Sequence, residues 1–434
     1  MKPINVGIIG YNSLCKGLLE VLNDNASIIM DKTGVGVNIT SISDTNIDKS
    51  NDPLIANIPI KTKTAMEIIN NKDVDIVIEL SNGHHEARVN ILEAIKRGKH
   101  IVTANKPLLA IYGKELFSTA EKNNVIIGFE GSVGGGIPLV DVLKEDLIAN
   151  NIKEIYGILN GTTNYILTRM EEKGVEFENA LEDAKILGYT ENDPSIDING
   201  IDSAYKLSIL ASIAFNALIP YDKIYIEGIS RIKYVDIDFA RQLGCKVKLL
   251  AIAKNYDGVE VRVHPTMIPD NSLLSKVVNE FNAISFLSDK TGKTIHYGRG
   301  AGYKATGSAV ASDVISIARE ITSGCINRVP LLGYTGEYVS NCKILDIEEI
   351  HSTFYLRFDA LDEPGVLSTI AGVLGRNNIS IGSSIQRGDR SVGDYVPLVF
   401  ITHETTGGKI SHAVNEIETL DLIKGETVII RVEK

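Results

Sequence analysis

One short segment of this sequence combines four carboxylates with a lysine, the residue types that bind a charged substrate and move a proton. Glu191, Asp193 and Asp197 lie in a proline-containing turn, and Asp202 and Lys206 follow on an apolar stretch. Several acidic groups close together disfavour one another's ionisation unless a positive group joins them. The pattern therefore indicates a polar site on this segment.

The apolar stretch after the turn predicts a buried helix from about residue 199. Lys206 shares a face of that helix with Leu210, Ile213 and Ala217. Burial of an unpaired ammonium is costly, and Asp202, one turn earlier, is placed to be its partner. The spacing alone leaves open a catalytic pair, a structural ion pair, or a lysine that reaches solvent.

The N-terminal residues predict a nucleotide-binding strand–turn–helix unit. Ile4–Gly10 forms an apolar strand and Leu14–Leu22 a helix, whose first turn offers free backbone N–H groups to phosphates. Asn12 and Cys15 stand where the G-x-G-x-x-G pattern has glycines. Asn12 can adopt the left-handed conformation where most residues cannot, which would preserve the turn, and we expect Cys15 to push the helix from the strand. A unit without nucleotide is the alternative.

Further predicted strands end in residues that can meet a ligand. Asp44 follows a strand and can accept a hydrogen bond from a ribose hydroxyl, which favours NAD over NADP, or can only begin a loop. Lys106 follows another strand, at the edge that faces ligands in open α/β sheets, although it can equally be solvated. Glu130 precedes three glycines, 134–136, which can cradle a monovalent cation or form a hinge.

The rest of the chain predicts a mixed middle region and a separate tail. We expect strands near 246–253 and 259–264 and a helix near 273–282. Beyond a boundary at Leu331–Glu349, the apolar pattern follows the order βαββαβ, which is typical of a ferredoxin-like module.

Composition excludes several classes of protein. With 434 residues, a formal charge of −11 and a pI near 5.3, the chain is not expected to bind nucleic acid or an anionic membrane. No apolar run reaches the ~20 residues of a membrane span, and no cleavable signal is visible. The four cysteines are far apart, which suits a cytoplasmic location, and neither they nor the histidines form a transition-metal cluster.

Several motifs, in one order, resemble homoserine dehydrogenases. The segment Gly188–Lys206 is similar to that family's signature nearly throughout. The other matching stretches are Thr103–Pro107, Glu130 with Val133–Pro138, Asn160–Tyr165 and Gly300–Gly302. The resemblance covers residues 4–434, because the tail looks like an ACT domain. The sequence shows no aspartokinase-like region, which implies a monofunctional enzyme.

The resemblance implies three domains. A Rossmann-type α/β nucleotide-binding domain spans 1–138 and is completed by about 303–335. An α+β catalytic and dimerisation domain spans 139–302, and a linker, 336–349, precedes a ferredoxin-like ACT domain at 350–434. The family also implies a homo-oligomer, either a dimer or a tetramer.

The implied reaction interconverts L-aspartate 4-semialdehyde and L-homoserine, with NAD or NADP, in threonine, methionine and isoleucine biosynthesis. Lys206 falls on the family's proton donor, and an ammonium there can stabilise and protonate the carbonyl oxygen as it gains charge. Asp202 orients or tunes that lysine, and Lys106 is the cofactor-side lysine. The implied substrate-binding residues are Glu191, Asp197, Gly161, Thr162 and Tyr189.

The resemblance also assigns cofactor, cation and effector sites. A Na⁺ or K⁺ ion falls on Glu130 and the backbone of Val133, Gly135 and Ile137, and the ACT domain implies feedback by threonine at Asp362–Gly365 and Asn378–Ile381, or a dimerisation role instead. The implied cofactor-binding residues are Gly10, Asn12, Ser13, Leu14, Asp44, Ser81, Thr103, Lys106 and Gly302.

Two alternative functions remain. Asn12 and Cys15 fit an amino-acid-sensing paralogue with weak or no catalysis, although the presence of Lys106, Glu191 and Lys206 opposes it. Another amino-acid oxidoreductase, of the aspartate or saccharopine type, is opposed by the segment Gly188–Lys206.

Overall fold

A computed structural model describes residues 3–49, 51–190, 193–335, 342–386 and 394–433. The chain divides into two compact units, and each is described by itself. The first comprises Met1–Ile155, Ala204–Ile224 and Asn282–Cys342, and the second Tyr156–Ser203, Tyr225–Phe281 and Lys343–Lys434. Within the described ranges, no helix is long and apolar enough to cross a membrane.

Strands and helices alternate in the N-terminal part, as short apolar runs separated by polar turns predict. In chain order they are β1 (Ile4–Ile9), α1 (Ser13–Asp24), α2 (Ala26–Thr33), β2 (Val37–Ser43), β3 (Ile60–Thr62), α3 (Ala65–Asn70), β4 (Ile76–Glu79), α4 (His85–Lys96), β5 (His100–Thr103), α5 (Lys106–Lys122) and β6 (Ile127–Gly128).

These strands form a parallel sheet in the order β3-β2-β1-β4-β5-β6. This is the strand order of dinucleotide-binding folds, in which ligands lie beyond the carboxyl ends of the central strands. Ile8 of β1 and Leu18 of α1 are fully buried, in a cluster that also contains Val310 and Val314 from much later in the chain. The Rossmann-type fold class is therefore confirmed.

The middle of the chain mixes helices with longer strands. In order they are β7 (Ile152–Ile158), α6 (Gly161–Lys173), α7 (Phe177–Ile186), α8 (Ser195–Ile198), α9 (Ile201–Ala214), β8 (Tyr225–Ile226), α10 (Tyr234–Gln242), β9 (Cys245–Asn255), β10 (Val259–Pro269), β11 (Phe281–Ser288), β12 (Gly292–Arg299) and α11 (Tyr303–Ser323).

The predicted helix at 273–282 is wrong. Only a 3-10 turn, Leu274–Lys276, forms there. Asn279 then takes a left-handed conformation with φ 57°, which a helix does not allow, and the chain enters β11, whose residues are almost all buried. The apolar spacing at 273–278 resembles a helix because this loop also packs one side inward.

The tail has the ferredoxin-like order that the sequence predicts. Its elements are β13 (His351–Leu361), α12 (Val366–Arg376), β14 (Ile381–Gln386), β15 (Tyr395–Thr402), β16 (Thr405–Thr406), α13 (Gly407–Glu418) and β17 (Val428–Val432). The four longer strands are ordered β17-β13-β15-β14, with antiparallel neighbours. Of the predicted linker, residues 336–341 lie outside the described ranges.

The sheet of the tail continues into the strands that precede it in the chain. Its last strand, β17, pairs in parallel with β10, through Thr266 with Arg431 and Met267 with Val432. A buried ion pair adds a second connection within the same unit, because the guanidinium of Arg357 on β13 donates to the carboxylate of Asp236 on α10, with Nε 2.6 Å from Oδ1. The edge strand of the module is therefore covered by the preceding part of the chain.

Candidate active site

Helix α9 carries the two residues that the sequence predicts for proton transfer. It is apolar on most sides, and Asp202 and Lys206 are only 4% and 6% exposed, beside the fully buried Leu210. Four positions separate the two ionisable residues, so they lie on the same face, one turn apart. The predicted buried helix is confirmed, and of the alternatives left open for Lys206, a lysine that reaches solvent is excluded.

The side-chain amide of Asn160 connects Asp197, which precedes α9, with Asp202 on α9. Its nitrogen donates to Asp197 Oδ1 at 2.7 Å and to Asp202 Oδ2 at 2.9 Å. Its oxygen accepts from the backbone N–H of Thr163 at 2.9 Å, so Asn160 is also the N-cap of α6. A single asparagine thus fixes two carboxylates relative to a helix N-terminus.

The other predicted substrate residues surround that helix start. Gly161 is the first residue of α6, and a Cβ there would lie 2.6 Å from the carbonyl oxygen of Glu280, so only glycine fits. The hydroxyl of Thr162 donates to the carbonyl of Tyr189 at 2.7 Å and lies 3.3 Å from Asp197 Oδ2. The ring of Tyr189 packs against Tyr165.

The carboxylates of the opening segment do not all converge. Asp193 is exposed, and its Oδ1 accepts the N–H of Ser195 at 3.0 Å, in a local turn at the start of the short helix α8. Glu191 lies outside the described residues. The structure therefore brings Asp197 and Asp202 together through Asn160 and leaves Asp193 in a local turn.

The first loop of the parallel sheet is built differently from the expectation. Gly10 has φ 98°, and a Cβ there would lie 2.7 Å from the backbone of Leu80, so this glycine provides the close approach. Asn12 is extended, with φ −129°, so the turn forms without the left-handed conformation that asparagine can adopt. Its Oδ1 accepts the N–H of Cys15 and its Nδ2 donates to the carbonyl of Leu80 at 2.8 Å.

The substitution at the third glycine position is accommodated in the core. Cys15 is fully buried in the cluster of β1 and α1, and burial raises the pKa of its thiol to about 12. Ser13 and Leu14 form the first turn of α1, where backbone N–H groups lack intrahelical partners. Gly302, with φ 121°, is the N-cap position of α11.

The remaining predicted cofactor residues lie at the carboxyl edge of the same sheet. The oxygens of Asp44 accept the N–H groups of Tyr11 at 3.0 Å and Asn46 at 2.8 Å, so this acid does organise a loop. The hydroxyl of Thr103 donates to the carbonyl of Glu79 at 3.1 Å. Lys106 is the partly buried first residue of α5.

Glu79, at the end of β4, is a buried acid for which the sequence predicts no functional role. It is fully buried, and burial raises the pKa of its carboxyl to about 7, although Ser81 donates to Oε1 from both its N–H and its hydroxyl. Among the described residues, Oε2 has no hydrogen-bond partner. The sequence signal for a buried Glu79 is its position as the one acidic residue at the end of an apolar strand, Ile-Val-Ile-Glu.

The predicted cation ligand Glu130 has a structural task. Its Oε1 accepts the N–H groups of Leu139 at 2.6 Å and Val140 at 3.1 Å, and its Oε2 accepts that of Asp141 at 2.8 Å. These donors begin a helical segment, so the carboxylate caps it. Oε2 retains acceptor capacity that a cation could use.

The fold and these side chains define a class. Two features characterise a dinucleotide-dependent oxidoreductase. One is the parallel sheet with a glycine in the turn before its first helix, and the other is the helix that carries a buried lysine and a buried carboxylate. Family models agree. The model for homoserine dehydrogenase matches residues 138–315, that for the homoserine dehydrogenase NAD binding domain matches 10–130, and that for the ACT domain matches 354–421.

The chain belongs to the homoserine dehydrogenase family. It is 42% identical to a homoserine dehydrogenase of Neisseria gonorrhoeae, over 100% of this chain and 99% of that protein. It is 40% identical to one of Pseudomonas aeruginosa, over 100% of both chains.

Solved structures agree with this assignment. A homoserine dehydrogenase from Thiobacillus denitrificans superposes with a TM-score of 0.94, at 39% identity, over 100% of this chain and 99% of that one. A hyperthermophilic archaeal homoserine dehydrogenase in complex with NADPH gives 0.63, at 29% identity, over 73% of this chain and 97% of that one.

Proposed function

We propose that this enzyme interconverts L-homoserine and L-aspartate 4-semialdehyde, with Lys206 as the acid and base on the substrate oxygen. The observation that carries the proposal is the burial of Lys206 and Asp202 on one face of α9, with Asp202 held by Asn160. An ammonium kept from water and oriented by a fixed carboxylate is what a developing alkoxide requires.

A nicotinamide cofactor, when bound, would provide the hydride acceptor for the alcohol and the hydride donor for the aldehyde. In the oxidation, Lys206 takes the hydroxyl proton as the carbonyl forms, and in the reduction it returns that proton to the oxygen. Asp202 orients the amine. By the family resemblance, Glu191 binds the substrate's ammonium, and Asp197, Gly161, Thr162 and Tyr189 complete the binding site.

The carboxyl edge of the parallel sheet suits a dinucleotide. Gly10 allows close approach of a pyrophosphate, and the first turn of α1, with Asn12, Ser13 and Leu14, provides N–H donors. Ser81, Thr103, Lys106 and Gly302 are proposed further contacts. The negative charge of Asp44 disfavours a 2′-phosphate, so we expect NAD to be preferred, although the archaeal relative was solved with NADPH.

We further propose that a Na⁺ or K⁺ ion binds at Glu130 Oε2 and the backbone carbonyls of Val133, Gly135 and Ile137. Oxygen ligands of this kind suit a hard cation. The ACT domain is proposed to bind an amino-acid effector, with threonine the expected one, and the enzyme to act as a cytoplasmic homo-oligomer in threonine, methionine and isoleucine biosynthesis.

Initial rates with each cofactor test the reaction. The purified full chain is expected to reduce NAD, and NADP more slowly, with L-homoserine but not with L-serine, which is one methylene shorter. No turnover with either cofactor would contradict the proposal and favour the sensing paralogue. Faster turnover of another amino alcohol would favour a different oxidoreductase.

A further inference from the structure

A cavity of about 350 Å³ lies within the second unit, and neither Asn160 nor the acids that it binds line it. Its walls come from β8 and the loop after it, from β17, and from the first turns of α13. This volume is in the range of small-ligand sites and exceeds that of any single amino-acid side chain. The polar residues on its walls are Tyr225, Glu227, Arg231, Ser411, Thr427 and Arg431.

Arg431 provides a buried cation in this cavity. It is 7% exposed, and its guanidinium carbon lies 5.3 Å from the ring centroid of Tyr225 and 5.2 Å from that of Phe354. Among the described residues, its Nε has no hydrogen-bond partner. An arginine held between two rings with an unused donor is suited to a carboxylate ligand.

Glu227 provides the opposite charge. Its Oε2 accepts the hydroxyl of Tyr225 at 3.0 Å, so Tyr225 contacts both charged groups, one with its ring and one with its hydroxyl. Burial raises the pKa of Glu227 and lowers that of Arg431, and the attraction between the two charges offsets only part of each shift. A ligand with both a carboxylate and an ammonium offsets both desolvation penalties.

A third polar group is also available. Thr427 is 6% exposed, and its hydroxyl has no hydrogen-bond partner in the described part of the chain. Buried hydroxyls are normally paired, so an unpaired hydroxyl beside two charges is a second mark of a binding site. Arg231, also on the wall, is exposed and is paired with Glu426 at 3.1 Å.

We propose that this cavity binds an α-amino acid as a zwitterion, with its carboxylate on Arg431 and its ammonium on Glu227. The site is distinct from the Asp362–Gly365 and Asn378–Ile381 loops to which the family resemblance assigns the effector. The proposed binding to this cavity depends neither on catalysis nor on an effector at those loops.

The position of the cavity gives its occupant a route to the substrate loop. Strand β10 pairs with β9 along one edge and with both β8 and β17 along the other, so one strand supports both walls. The segment after Glu227 contacts the end of α8, because Ile229 N–H donates to the carbonyl of Ile198 at 2.9 Å. Asp197, which Asn160 holds, precedes Ile198, so binding is expected to change the KM for the amino-acid substrate.

The test is isothermal titration of the full chain, without cofactor, with each standard protein amino acid. At least one is expected to bind. For that amino acid, the amine that lacks its carboxylate and the acid that lacks its ammonium should bind at least tenfold more weakly. Glu227→Gln should weaken binding at least tenfold. Ser411→Phe, on an exposed wall position, should obstruct the cavity and abolish binding.

Two control variants keep the test specific. Lys409→Phe places the same ring on an exposed position of the same helix, outside the cavity, and Asp362→Asn alters the other effector loop. Both should bind within twofold of wild type. The proposal is overturned if no amino acid binds, if Glu227→Gln and Ser411→Phe bind as tightly as wild type, or if Asp362→Asn alone abolishes binding. Turnover of L-homoserine, measured on the same samples, reports separately on the proposed reaction.

Discussion

Asn160 donates a 2.9 Å hydrogen bond to Asp202, the acid that precedes the buried Lys206 by one helical turn. The same amide also holds Asp197 and caps α6. This relationship makes Asn160 a positioning residue for the proposed proton transfer, and two substitutions separate its two tasks.

Asn160→Ala is expected to lower kcat/KM by about 10²-fold, because displaced catalytic groups lose their geometry. It should also destabilise the fold by about 1 kcal/mol through the lost cap. Asn160→Ser retains a capping oxygen, so it should recover the stability but not the activity. Initial rates and urea unfolding check both effects, and full activity of the alanine variant would refute the positioning role.

Glu79 gives a prediction for the pH dependence of stability. Its pKa in the folded protein is about 7, above the ordinary 4.5, so its contribution to stability is fully present below about pH 4.5 and is lost as the pH rises through 7. Glu79→Gln removes this dependence. At pH 8 the variant should be more stable than wild type by roughly 3 kcal/mol, and the difference should shrink toward pH 5. Urea unfolding at both pH values measures it.

The exposed Glu67→Gln serves as the control for that experiment and should leave the difference between the two pH values unchanged. A Glu79→Gln protein whose stability follows wild type at every pH would show that the carboxyl ionises normally in the fold.

The ion pair between Asp236 and Arg357 connects the ACT module to the preceding part of the second unit. Both side chains are almost fully buried, so Asp236→Ala leaves an uncompensated guanidinium and should cost about 3–5 kcal/mol of stability. The bond from Arg357 to Asp359, at 2.8 Å, limits the loss to the lower part of that range. Urea unfolding measures it.

Two comparisons isolate the effect of burial. The double variant Asp236→Leu with Arg357→Met should be closer to wild type than the single variant, because no charge remains unpaired. Glu93→Ala, in an exposed ion pair with Lys96, should change little. Equal losses in all three proteins would contradict the account.

The cation proposal predicts faster oxidation of L-homoserine in KCl or NaCl than in choline chloride at equal ionic strength. Glu130→Gln should remove that difference. It should also destabilise the protein by about 1–3 kcal/mol in every salt, because an amide NH₂ cannot accept the N–H groups at the start of the helical segment. Equal rates of the wild type in all three salts would leave Glu130 with its capping role alone.

Periodicity was sufficient for the elements whose burial is regular. The apolar pattern of α9 predicted a buried helix, and the alternation in the tail predicted the βαββαβ order of its elements. It failed at 273–282, where a loop packs Leu274 and Val277 inward with helical spacing although Asn279 prevents a helix.

Contacts between residues far apart in the chain could not be predicted from the sequence. Asn160 lay in a recognised motif, yet its bonds to Asp197 and Asp202 depend on the loop after α7, which no local pattern specifies. Asn12 stands where the pattern has a glycine and caps α1 with its side chain, and Gly10 takes the positive φ. The pairing of β17 with β10 likewise joins residues far apart in the chain.

The most direct test of the central claim is the rate of NAD-dependent L-homoserine oxidation by Lys206→Ala, compared with Lys223→Ala at an exposed position. We expect Lys206→Ala to lose about 10²–10⁴-fold in kcat with a folded structure and retained cofactor binding, and Lys223→Ala to match wild type. A Lys206→Ala enzyme with wild-type kcat would contradict the assignment of this lysine.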